Sequence, residues 1–95
     1  MMRVSHTYND KSAAEVEALF KDNADYLLSQ YSDYIGKHKW VSDTRLEGAG
    51  RGVKATAYVQ GQTIIVEGKL PFALKLFARK IESVVAGKLE RMGQQ

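Results

Sequence analysis

The chain has no cysteine, a single proline and only two histidines in 95 residues. The first absence excludes a disulfide framework, a thiolate nucleophile and a cysteine-ligated zinc, and it suits a reducing compartment. Nowhere do 18 apolar residues run together, so no membrane-spanning helix is expected. The opening Met-Met-Arg-Val-Ser-His-Thr lacks the apolar core of a secretory signal. The expectation is a soluble cytoplasmic protein without integral membrane insertion.

Catalytic chemistry is equally sparse. His6 and His38 are far apart in sequence, and neither has an acidic pair nearby. Glu15 and Glu17 cannot face each other on a helix, and Asp22 with Asp25 reads as a solvated helix face. Gly48, Gly50 and Gly52 lie between two strands, away from any helix start, and no Gly-Lys-Ser/Thr follows them, so they are no phosphate loop. Catalysis needs a nucleophile, a base and an orienting group, or metal ligands at helix or turn spacing. No catalytic residue, metal site or cofactor is therefore expected, and the chain reads as a non-enzyme.

What is present is ordinary for a globular domain: 44% apolar and 26% charged residues, enough for one modest core over residues 1–95. The net charge of +3 is unevenly spread. Residues 1–50 carry six Lys/Arg against eight Asp/Glu, and residues 51–95 carry eight against three. An acidic first half and a basic second half predict a surface dipole, with an acidic or interfacial partner for the C-terminal helix. Nucleic acid is not the expected partner, although the pI is about 9.2. Tyr58 beside Lys54 is too small an aromatic platform for stacking bases.

The organising stretch runs from Arg51 to about Arg91. Val53, Ala55, Ala57 and Val59 alternate with Lys54, Thr56, Tyr58 and Gln60, the pattern of a strand with one buried face. Gly61 permits a tight reversal, and a return strand over 63–69 puts Ile64 and Val66 on the same inner face. Pro71 then opens one long amphipathic helix, where its fixed φ and missing N–H do no harm. Upstream, residues 2–8 predict a first strand with Val4 and His6 on one face. Ser12 and Glu15 fit a capping box, and a helix is expected from there to Tyr34 or Ile35, stopped by Gly36. Val16, Phe20, Leu27, Tyr31 and Tyr34 form its stripe, with Leu19 and Ala24 at the margins. Residues 38–47 predict another strand, with Trp40 and Leu46 on one side, and Gly48-Ala49-Gly50-Arg51-Gly52 predicts a turn. The polar tail Gly93-Gln94-Gln95 is expected to fray. The predicted fold is α+β: a β-α-β-β-β-α two-layer sandwich, with a four-stranded antiparallel sheet and two helices on one face, small and helix-grip-like.

The last helix holds one anomaly. Leu70, Ala73, Leu74, Phe77, Ala78, Ile81, Val84, Val85 and Met92 gather into a core stripe, which leaves Phe72 and Leu76 on nearly the opposite side among Lys75, Arg79 and Lys80. Each fully exposed apolar side chain forgoes roughly 1.5–3 kcal/mol of burial. A neighbouring element covers the pair, or they are isolated surface residues, or they form an interface with a second copy or with an apolar surface of negative charge. These five residues are the candidate interaction surface.

Several segments together resemble a known family: the His6-containing strand, the Ser12–Tyr34 helix, the Trp40 strand and the lead-in Gly50-Arg51-Gly52-Val53. The run Ile64-Ile65-Val66-Glu67-Gly68-Lys69-Leu70-Pro71-Phe72-Ala73 completes the set, and Leu70-Pro71 with Lys80-Ile81-Glu82 is its most characteristic part. The chain resembles, over nearly its whole length, the small polyhydroxyalkanoic acid system proteins, which are encoded near genes for storage-polyester synthesis and use. That resemblance implies association with polyester granules or with a granule-associated protein, and it carries over no catalytic residue. The Leu-Pro junction is also similar to larger helix-grip proteins that hold lipids. The reading is a non-enzymatic interaction module at the granule surface, with a homodimer in view. The alternative is a helix-grip-like domain binding a small hydrophobic ligand or lipid.

Overall fold

The computed structural model describes residues 2–31 and 35–94. Its elements in chain order are β1 (Met2–Thr7), α1 (Ala13–Ser29), β2 (Lys37–Ser42), β3 (Arg45–Gly50), β4 (Val53–Gln60), β5 (Thr63–Lys69), α2 (Phe72–Lys75) and α3 (Ala78–Met92). The strands form one antiparallel sheet in the order β1-β5-β4-β3-β2. The α+β class with an antiparallel sheet is as expected, but the sheet has five strands where four were expected. The stretch 38–47 is a hairpin rather than one strand. Ser42 accepts a hydrogen bond from the Thr44 N–H at its tip, a local bond that competes with the ladder and favours a turn. Gly48 and Gly50, expected in a turn, belong to β3 instead. The reversal into β4 needs only Arg51 and Gly52, whose φ values of 47° and 80° give the mirror-image turn that matches strand twist.

The capping box of α1 is formed as the sequence predicts. The Glu15 N–H donates to the Ser12 hydroxyl at 3.1 Å and the Ser12 N–H donates to the Glu15 carboxylate at 3.0 Å. Those bonds hold the Glu15 carboxyl below its usual range. Val16, Phe20 and Ala24 are buried, so Ala24 is central to the stripe, not marginal. The helix stops at Ser29, short of the expected Tyr34 or Ile35. The Ser29 hydroxyl bonds back to the Tyr26 carbonyl at 2.6 Å, and no cation steadies the last turn. Tyr34 lies outside the described residues. Because α1 links the two opposite edge strands, it crosses the sheet, and its buried residues join Val4, Leu46, Ile64, Leu89 and Met92 in one core.

The expected single C-terminal helix is two. α2 is one tight turn, with Leu74 and Phe77 N–H groups bonding three residues back. Phe77, at φ −107° and ψ 11°, then resets the phase before α3 begins. The core stripe drawn across the break is therefore displaced. Ala73, Phe77 and Val84 are exposed, while Leu89, outside that stripe, is buried beside Met92.

The far end of α3 is pinned to the sheet. Tyr8, just after β1, is 2% exposed and donates its hydroxyl to the Leu89 carbonyl, one of the last four carbonyls that a helix leaves without an internal partner. Gly93 is packed here instead of frayed, since a Cβ on it would stand 2.6 Å from the Tyr8 ring. Burial pushes the Tyr8 hydroxyl up to about 12. An unfolded tyrosine ionises near 10, so this group's contribution is complete below pH 10 and is lost as the pH rises towards 12. Chemical denaturation across that window should show wild-type stability falling by up to about 1.4 kcal/mol per pH unit through this group. Tyr8→Phe should be less stable by about 1–3 kcal/mol at pH 8, with a shallower alkaline slope.

Candidate functional site

Register places three nearly side-chain-free positions in a row on the inner face. Ala55 of β4 pairs with Gly48 of β3 on one side and with Gly68 of β5 on the other. Ile35 stands over Gly48, where a Cβ would meet its Cγ2 at 2.6 Å, and the Met2 terminal methyl stands over Gly68, 3.2 Å from where a Cβ would be. Between them the floor is low. Above it α1 packs on β4 and β5 while α3 packs on β1, so the two helices sit side by side over the sheet with the row between them. The result is a cavity of about 440 Å³, within the range of small-molecule sites.

Its walls are apolar: Ala24, Leu27 and Leu28 from α1, then Leu74, Phe77, Ile81 and Val85 from the C-terminal segment. Among the described residues, Tyr31, Thr56, Lys80 and Lys88 are the polar residues of the lining, and Thr56, opposite Glu67 on the outer face of the sheet, turns its side chain away from the cavity. The Tyr31 hydroxyl is buried with no hydrogen-bond partner among the described residues. Burial raises its ionisation above the ordinary tyrosine value, opposed by the positive charge of Arg91. Lys88 reaches across from α3, its ammonium donating to the Gln30 side-chain carbonyl at 2.6 Å and lying 5.8 Å from the Tyr31 ring centroid.

The residues singled out from the sequence lie outside this cavity, except Lys80. Phe72 and Leu76 are 85% and 82% exposed, and Lys75, Arg79 and Lys80 are exposed around them. The helix break adds a third large apolar residue, Phe77, 55% exposed and lining the cavity as well. His6 and His38 sit on opposite edge strands. His38 Nε2 approaches the Asp25 carboxylate at 3.4 Å, and Trp40 Nε1 donates to the same group at 3.2 Å. On the outer sheet face Tyr58 donates its hydroxyl to Glu67 at 2.7 Å, and the Arg45 guanidinium lies 5.1 Å from its ring centroid. Among the described residues no helix is long and apolar enough to cross a membrane.

A family model described as "putative polyhydroxyalkanoic acid system protein" matches residues 2–92, which takes in all five strands and all three helices. The chain belongs to this family. Comparison with curated proteins and with solved structures gave no match. The family's description links the chain, by name, to the polyhydroxyalkanoate system.

Lys88 and the Gly48–Ala55–Gly68 row are the parts of this site that sequence patterning misses, whereas the pattern puts Tyr31 on the inward stripe of the first helix, but as core rather than as cavity wall. A polar residue at a cavity's edge has no periodic signature, and the glycines align only once the register is known. A buried hydroxyl without a partner should cost stability. Tyr31→Phe is therefore expected to unfold in urea at an equal or higher midpoint than wild type. A free energy of unfolding lowered by more than about 1 kcal/mol would reveal a hydrogen bond to that hydroxyl.

Proposed function

We propose that the chain is a non-enzymatic interaction module that works at the hydrophobic surface of polyhydroxyalkanoate granules. The observation that carries this reading is the near-complete exposure of Phe72 and Leu76 on a one-turn helix with no buried residue. Two large apolar side chains held in water beside Lys75, Arg79 and Lys80 fit a surface that is apolar and carries negative charge, as an interfacial amphipathic segment does. α2 is short and ends in a break, so it can seat its apolar side chains without displacing the core, which α3 holds through Leu89 and Met92. On this reading the protein acts inside the cell, bound to granules directly through this face.

A second reading is favoured by a separate observation, the apolar cavity. A helix-grip-like domain holds a small hydrophobic ligand between its sheet and its last helix, and here the space exists beneath α3 within a single chain. The two readings are compatible, because Leu74 and Phe77 of the exposed segment also line the cavity.

Co-sedimentation of purified protein with washed polyester particles tests the first reading. Wild type should pellet, and Phe72→Ser/Leu76→Ser should remain in solution with an unchanged melting temperature and an unchanged mass by light scattering. Wild type that stays in solution would refute direct granule binding. A variant whose mass alone halves would make this face a dimer contact instead.

A further inference from the structure

Positive charge gathers at one end of the sheet. Residues 48–81 carry six Lys/Arg and a single carboxylate, that of Glu67. Register sets Lys54 of β4 directly opposite Lys69 of β5. Their chain neighbours Val53 and Gly68 line the cavity, so the two lysines project from the outer face, and both are exposed. Like charges paired across strands destabilise a sheet, and neither lysine makes an ion pair among the described residues. Glu47 and Glu67, in the next row of the sheet, engage partners in the row beyond. Glu47 lies 3.8 Å from the Arg45 guanidinium, and Glu67 accepts from the Tyr58 hydroxyl at 2.7 Å. The turn that enters β4 adds Arg51, which is also exposed. Its neighbour Gly52 stands against Pro71, where a Cβ would lie 3.4 Å from the proline ring. This turn therefore adjoins the start of α2, with Phe72 and Lys75. Folding makes no use of two opposed lysines beside an apolar turn that no buried residue anchors.

We propose that this end of the molecule docks on an anionic phospholipid surface. Arg51, Lys54 and Lys69 bind headgroup phosphates, and Phe72 and Leu76 enter the acyl layer beside them. Clustered cations next to exposed aromatic and aliphatic side chains hold peripheral proteins to such surfaces. Lysine stems can lie on an apolar layer while their ammonium groups stay with the phosphates. Nucleic acid fits less well, because Tyr58, the aromatic ring of this sheet face, is already engaged by Glu67 and Arg45 and is not offered to bases. The inference rests on the seating of α2 at an apolar surface and adds the source of the negative charge, lipid phosphate.

Vesicle flotation tests it, with phosphatidylcholine alone and with phosphatidylcholine mixed with phosphatidylglycerol. Wild type should float with the mixed vesicles only, and less so as salt screens the charge. Lys54→Gln/Lys69→Gln should lose about tenfold in affinity for the mixed vesicles, while melting at or above the wild-type temperature and still pelleting with bare polyester particles. Lys11→Gln/Lys21→Gln makes the same change in net charge at the opposite end of the sheet, where the Lys11 carbonyl accepts from Gln62 and Lys21 pairs with Asp43. It should float as wild type does. Equal binding to the two vesicle types, an unchanged affinity in the Lys54/Lys69 variant, or an equal loss in the Lys11/Lys21 control overturns the phospholipid assignment and leaves granule seating standing. So does a wild type that pellets with polyester but floats with neither vesicle. Binding to neither vesicles nor polyester overturns both.

Discussion

The absence of side chains along one row of the sheet governs what lies above it. Gly48, Ala55 and Gly68 stand side by side on β3, β4 and β5, and a helix held at its usual height by larger side chains elsewhere leaves a space above such a row. Here Met2 and Ile35 reach in from the two ends and leave the middle unfilled. An enclosed apolar void of 440 Å³ would cost about 10 kcal/mol at the usual penalty per unit of cavity volume. That is comparable to the entire stability of a domain of this size. A protein that folds with such a space keeps it open to solvent or fills it. Either condition suits a binding site and neither suits a packing defect.

The C-terminal helices are attached unequally, and the attachment explains where the exposed apolar surface falls. At its far end α3 is fixed by Leu89, Met92 and the Tyr8 hydroxyl, with Gly93 giving the Tyr8 ring room. At its near end no buried residue anchors α2, and the chain turns at Leu76 and Phe77. The segment that lines the cavity mouth is therefore the same segment that presents Phe72, Leu76 and Phe77 to water. On the proposed reading, a granule surface and a cavity ligand would engage neighbouring faces of one short stretch of chain, with Lys75, Arg79 and Lys80 beside it.

Much of the fold was legible because it rests on local rules. The capping box at Ser12, the alternation of β4 and β5, the Gly61 reversal and the buried Val16 and Phe20 each follow from patterns within a few residues. The errors fell where competing local bonds or phase changes intervene. Ser42, Asp43 and Thr44 folded a supposed strand into a hairpin, and Ser29 ended α1 early. A one-residue departure at Phe77 rotated the helix that follows, which hid Leu89 and placed Phe77 wrongly. The exposed pair Phe72 and Leu76 was visible in the sequence because α2 precedes the break. The cavity was not, since it arises from glycines brought together by pairing across three strands.

The central claim is that an accommodating space lies over Ala55, and one substitution tests it directly. Ala55→Leu adds a branched side chain between two glycine neighbours, so its effect on thermal stability reports whether there is room. The account predicts a melting temperature equal to or above that of wild type, together with weakened uptake of an apolar ligand. A loss of about 1–3 kcal/mol, the usual result of overpacking a filled core, would contradict it and show that the helices close over the sheet.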